Sequence, residues 1–276
     1  MLNFHNDQAA GLRRIMAESK TRVVSVLSVS MSENQPCLLT NLAAQMSSRG
    51  RDVLILQAAE DSPEATRSYG TAALPALADV ANKKSALAQA VKHTALGFYT
   101  ARLLPKNSTL TALNNQLENS LNTIFNKLAA HYEVVLVDTM LTKQYVLPLH
   151  AFNEGEILIR LTKDVESIKH AYMLIKQICS QHGRRNFGIV VDACSDAQAA
   201  TVFRNIAQAA RRFLLVDLEF YGAIPADEHL HRAMKLGRAV TDAFPMAKAS
   251  IAINLLAQRI DYQQNHHAET ELASLI

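Results

Sequence analysis

Short apolar runs rich in branched side chains alternate along the chain with longer stretches whose apolar residues recur every third or fourth position. The runs fall at 22–29, 52–59, 97–104, 133–138, 156–162, 186–192 and within 213–225. They are largely apolar from end to end, which predicts parallel strands buried on both faces. Helical spacing is clear at 37–49, 108–132, 164–183, 197–212 and 247–262. One stripe is made by Leu113, Leu117, Leu121, Phe125 and Leu128. Residues 74–92 predict shorter helical pieces with Leu77, Val80, Leu87 and Val91 turned inward. Arg49-Gly50 reads as a basic last turn followed by a capping glycine, and Pro105 closes a strand. Strand and helix in alternation predict an α/β fold of three layers, doubly wound, with a mostly parallel sheet between helices on both faces.

Two segments flank that domain. In residues 3–19, Asn6 suits an N-cap, Asp7 suits a first helical turn, and Leu12, Ile15 and Met16 form a short stripe. Gly11 weakens such a helix by about 1 kcal/mol against alanine. A helix this short is marginal alone, so it is expected to order on docking, either to its own domain or to a partner. After Tyr262 the chain is polar and carries Glu269 and Glu271 without Lys or Arg. That sign is wrong for anionic lipid, which speaks against membrane binding by the tail. The expected organisation is an N-terminal helix at 1–20, an α/β domain at 21–262 and a polar tail at 263–276.

Composition narrows the class. The 276 residues suffice for one α/β domain with a full core. A hydrophobic fraction of 49% and a charged fraction of 19% belong to a globular chain. A net charge of +3 gives no reason to expect nucleic acid. Three cysteines, Cys37, Cys179 and Cys194, suit a reducing compartment. With no leader or membrane span legible, a cytoplasmic location is expected.

Candidate chemistry concentrates where the first strand passes into the first helix, the usual place of a phosphate-binding loop. That loop reads Ser30-Met31-Ser32-Glu33-Asn34-Gln35-Pro36. A phosphate cradle needs glycines so that backbone N–H groups turn inward, a lysine for charge, and a hydroxyl for Mg²⁺. The loop has no glycine and no lysine, and Pro36 stands where the hydroxyl would be. Proline offers neither N–H nor side-chain oxygen, but it fits as the first residue of a helix. Asp138 closes the run Val134-Val-Leu-Val-Asp-Thr at the end of a strand where sites in open sheets lie. It stands at the correct end to hold a metal through water, but without the loop's lysine and hydroxyl the expected role is a helix cap or loop acceptor. His229 and His231 point apart on a predicted helix, His266-His267 lies in the tail, and no nucleophile–base pair can be placed by spacing.

Residues 23–43 resemble the deviant phosphate-loop segment of MinD/ParA-type ATPases, Lys-Gly-Gly-x-Gly-Lys-Thr, aligned without a gap. In that register Ser30 replaces the signature lysine, Gln35 the second lysine and Pro36 the threonine, while Asn41-Leu42-Ala43 is kept. The family's strand-end Asp-Ala-Asp is Gln57-Ala58-Ala59 here, so both acidic residues are gone. Thr162, Ser167, Ala171 and Tyr172 match a further segment, and Gly222-x-Ile224-Pro225-x-Asp227 matches the terminal one. Asp192 takes the place of an asparagine that reads adenine, leaving acceptors only. The resemblance implies a P-loop NTPase-like fold with a degenerate nucleotide site at Ser30, Met31, Ser32, Asn34, Gln35, Pro36, Gln57, Ala59, Asp138 and Asp192. No cofactor is expected.

Asp7-Gln8-Ala9-Ala10-Gly11-Leu12-Arg13 resembles the Asp-Gln-Ala-x-x-Leu-Arg motif of the family's flagellar-number-regulator branch. There the segment binds the flagellar SRP-type GTPase and stimulates GTP hydrolysis. The resemblance implies that Asp7, Gln8, Leu12 and Arg13 bind that partner. Gln8 would orient a water, Leu12 would anchor, and Arg13 would touch the rim. A flagellar transcription regulator, switch-complex proteins and a second copy of the chain are further implied partners. The alternative is a weak ATPase that uses Asp138, binds ATP and Mg²⁺, and dimerises on ATP.

Overall fold

β1 (Arg22–Ser28) lies inside the sheet and leads through α1 (Asn34–Ser48) to β2 (Val53–Gln57). Helices α2 (Pro63–Tyr69) and α3 (Leu77–Ala81) precede β3 (Val91–His93) and β4 (Tyr99–Arg102). Next come α4 (Asn115–Ala129), β5 (Val134–Thr139), α5 (His150–Glu154) and β6 (Glu156–Thr162). Then follow α6 (Val165–His182), β7 (Phe187–Asp192), α7 (Asp196–Leu214) and β8 (Leu218–Ile224). Helices α8 (His229–Lys235), α9 (Val240–Ala243) and α10 (Lys248–Ala273) complete the order. This is a computed structural model, and it describes residues 21–29, 34–59, 62–142 and 146–273.

The sheet runs β3-β4-β2-β5-β1-β6-β7-β8. Every pairing is parallel except the β3–β4 hairpin. The expected doubly wound α/β fold is therefore what the chain adopts. One face carries the cluster of Leu54, Leu56, Phe125, Phe152, Ile159 and Ile175; the other carries that of Val26, Leu39, Leu42, Ile55, Leu158 and Ile253. Both faces of each inner strand are thus covered, which is why these runs are largely apolar throughout rather than at alternate positions.

The periodicity misses in four places. β3 falls where helical pieces are predicted, because three residues at a sheet edge carry no readable period. The stretch 108–132 breaks into a tight turn at Leu110–Ala112 and then α4, which starts where Asn114 accepts the Leu117 N–H at 2.8 Å. Phe213 and Leu214 end α7 instead of opening a strand. The last helix continues past Tyr262 to Ala273.

Two polar devices hold the C-terminal half in place. Arg22 pairs with both carboxylate oxygens of Glu156 at 2.6 Å, and Tyr221 donates its hydroxyl to Glu156 at 2.8 Å. This ties β1, β6 and β8 beneath the sheet. Gly188 on β7 makes room, since a Cβ there would stand 2.7 Å from the Tyr221 ring. Asp227 accepts the N–H groups of His229 and Ala249, both at 3.0 Å, and so caps α8 and α10 together. Burial raises its carboxyl, but these bonds and His229 outweigh that and hold it below the usual range.

Candidate functional site

The chain leaves β1 toward β2 on one side, and after β5 it crosses over β1 to β6 on the other. The carboxyl ends of β5, β1 and β6 therefore form the crevice where open sheets bind ligands. α1 starts there. Pro36 is its third residue rather than its first. The position is still free of strain, because the first N–H groups of a helix have no intrahelical partner. What it removes is one of the donors an anion would use.

The crevice is filled from within. The Gln35 amide donates to the Val26 carbonyl at 3.2 Å and to Asp138 Oδ1 at 2.5 Å. The Tyr69 hydroxyl donates to Asp138 Oδ2 at 2.7 Å. Arg160 donates to Gln35 Oε1 at 3.4 Å and to Asp192 Oδ2 at 2.5 Å. Five side chains from α2, β5, α1, β6 and β7 thus form one buried polar chain, with Arg160 only 2% and Asp138 only 4% exposed. Arg160 pairs with Asp192 and acts on Asp138 only across space, so two aspartates stand near one guanidinium, formally short of one positive charge.

Burial pushes the Asp138 carboxyl upward, while the bonds from Tyr69 and Gln35 and the charge of Arg160 pull it back. Asp192 is raised by burial and opposed by Arg160 in the same way. Burial and the nearby Asp138 lift the Tyr69 hydroxyl well above its ordinary value, so it stays a donor. Burial first, and Glu64 second, push the Cys37 thiol up to about 11, leaving it protonated and unreactive.

The remaining sequence candidates are placed as follows. Gln57 is buried and accepts from the Thr71 hydroxyl at 2.6 Å. The N–H groups of Ala58 and Ala59 both bind the main-chain carbonyl of Asp138, at 2.8 and 2.7 Å. Where acidic side chains would face a nucleotide, the strand end is stitched to β5. Asn34 is the first residue of α1. Asn41 accepts the Val240 N–H at 2.7 Å and donates to the Cys37 carbonyl at 2.8 Å, pinning α9 onto α1. Ser30, Met31 and Ser32 lie outside the described residues, as do Asp7, Gln8, Leu12 and Arg13.

One expectation changes. Asp138 caps no helix; it accepts from two side chains. Asp164 occupies the N-cap position of α6 without a capping bond, because its carboxylate accepts from the Thr162 hydroxyl at 2.7 Å instead. The residues described in the crevice do not fit a Mg²⁺-nucleotide: both oxygens of the strand-end carboxylate have donors, the nearby cation is paired, and Pro36 withholds an N–H. Tyr69 and Arg160 escape the sequence reading. Arg160 had a signal, a charge inside a run of residues buried on both faces.

No protein-family model matches the chain. Over 225 residues it is 29% identical to the antiactivator FleN of Pseudomonas aeruginosa, a match covering 80% of this chain and 79% of that protein. Among solved structures it is similar to a chain of the MinC:MinD cell division protein complex of Aquifex aeolicus, with 20% identity and a TM-score of 0.63. That match covers 87% of this chain and 96% of the other. The cell division ATPase MinD of Pyrococcus furiosus gives 18% and 0.63, covering 88% and 99%. A ParA family ATPase of Chlorobium tepidum gives 16% and 0.64, covering 87% and 99%. At these identities the structures establish the fold.

Proposed function

We propose that the chain, which adopts the fold of the MinD and ParA ATPases and is similar to an antiactivator, regulates flagellar biogenesis by protein contact, without binding or hydrolysing ATP. The observation that carries the loss of ATP is the double occupation of Asp138. Tyr69 and Gln35 already donate to the two oxygens that would face a hydrated metal. Opening that pair to admit Mg²⁺ would strand two buried donors, at about 1–3 kcal/mol each. A relative that is an antiactivator supports a regulatory role.

The partner follows from the motif at Asp7–Arg13: the flagellar SRP-type GTPase, with Gln8 orienting the attacking water, Leu12 anchoring and Arg13 on the rim. Arg22 fixes where that segment joins the sheet, at the end of β1 remote from the crevice. At ~3.3 Å per residue the two ends of β1 lie roughly 20 Å apart. A flagellar transcription regulator or a switch-complex protein is a further partner of the same kind, bound by protein contact.

Two measurements test the two halves. Calorimetry with Mg-ATP is expected to give no heat beyond dilution; saturable binding would defeat the ATP-free reading. GTP turnover by the flagellar GTPase should rise on addition of the chain, equally with and without ATP, and Gln8→Ala should abolish the rise. An unstimulated GTPase would remove that partner.

A further inference from the structure

Beside the edge strand β8, away from the crevice, lies a groove of about 800 Å³. It runs between α7 and α10. Phe220, Ile251 and Leu255 contribute apolar walls, and its charged lining residues are Lys248, Arg259 and Asp196. α10 buries Ala249, Ile253, Leu256, Ala257 and Ile260 on its inner side, yet Ile251 and Leu255 on its other side stand 50% and 55% exposed. A helix apolar on two faces needs a second thing to cover it. β8 is paired with β7 only, and Arg259 covers the Phe220 carbonyl and lies 5.7 Å from its ring.

The chain itself contains a segment of complementary chemistry. Residues 263–276 carry Glu269 and Glu271 and no Lys or Arg, while the groove presents two cations against one acid. That acid, Asp196, sits in the first turn of α7, where the helix dipole offsets it. Ala268, Leu272, Leu275 and Ile276 fall at the spacing of one helical face. α10 runs without a break through Ala273, so its later turns move away from the groove that its own earlier turns line.

We propose that residues 263–276 of one copy dock in the β8 groove of a second copy, closing a two-fold dimer. Leu272 and its neighbours would cover Ile251, Leu255 and Phe220, and Glu269 and Glu271 would face Lys248 and Arg259. An exchanged segment of this kind closes with itself and leaves no open end. The assembly uses neither the crevice nor residues 1–20, so it stands apart from the GTPase reading and does not respond to ATP.

Sedimentation of the full-length chain tests it. The wild type should show a concentration-dependent dimer, indifferent to Mg-ATP and weakened by salt. A synthetic peptide of residues 262–276 should compete it apart. Leu255→Asp, at a half-exposed position, should raise the dissociation constant on the order of tenfold or more. Arg259→Glu should do the same, and Glu271→Arg in that background should restore the dimer, which excludes misfolding as the cause. A wild type that stays monomeric, a dimer that the peptide leaves intact, or one that survives both Leu255→Asp and Arg259→Glu, would overturn the assignment.

Discussion

Replacing Arg160 by methionine is expected to cost the fold about 3–5 kcal/mol, because it leaves buried carboxylates without their cation. In thermal unfolding that is a fall of roughly 6–20 °C for a chain of this size class. Methionine keeps much of the volume and the unbranched stem, so a cavity is not the main cause. The loss falls on Asp138 and Asp192, whose carboxyls burial already raises and whose principal counterweights include Arg160. The pH dependence gives the sign. A carboxyl raised in the native state binds its proton more tightly there than in the unfolded chain, so stability is favoured at low pH and lost as pH rises toward the folded value. Removing Arg160 raises both carboxyls further. The gap between variant and wild type should therefore be smallest near pH ~4, the unfolded carboxyl value, and widen upward from it. Asp192→Asn in the variant background should return part of the loss. Arg160→Lys should fall between, since an ammonium keeps the charge but not the fork. A penalty under about 1 kcal/mol, the scale of an exposed pair, would mean that water reaches the crevice.

This arrangement also explains how a buried carboxylate persists in the crevice. The loop holds no lysine, yet Asp138 remains at the end of β5. A buried carboxylate with nothing beside it would be costly. The compensation comes from a strand: Arg160 reaches the site from β6, with Gln35 as the bridge between the two. The positive charge of Arg160 faces the protein, bonded to Gln35 and Asp192.

What the residues disclose before folding divides along a physical line. Strands buried on both faces announce themselves, because burial alone dictates their composition; β1, β2, β5, β6 and β7 are legible for that reason. The missing loop lysine is equally plain, since chemistry that is absent from a motif is absent in any conformation. The chain from Tyr69 to Asp192 is different. Gln35 meets Asp138 across 103 residues and Arg160 across 125, and only the strand order brings them together. Arg160 could be noticed as a charge out of place, but its partner could not be named. Tyr69 carried no mark at all, being one aromatic at the end of a short helix. β3 and the Thr162–Asp164 bond were lost to length: three residues in one case and a local competition between hydroxyl and backbone in the other.

Gly155→Ala should be nearly as damaging as the loss of Arg160, for a steric reason. Gly155 joins α5 to β6 with no positive φ to excuse it, so its need for a hydrogen is about space. A Cβ there would lie 2.3 Å from the Val23 carbonyl oxygen and 2.9 Å from the Val23 Cβ. The obstacle is the main chain of an inner strand, held by β5 on one side and β6 on the other, and it has no rotamer to change. Forced overpacking of this kind costs about 3 kcal/mol, roughly 6–12 °C in melting temperature. Arg185 makes matters worse by donating to the carbonyls of Asn153 and Gly155, which holds the loop against the strand from outside. The displacement also falls on the Arg22–Glu156 pair, since each member is the immediate neighbour of a residue in the clash. Arg22→Met, which removes that pair without any steric clash, should reproduce part of the fall in melting temperature. A Gly155→Ala variant that melts with the wild type would show that β1 gives way more easily than its two neighbours allow.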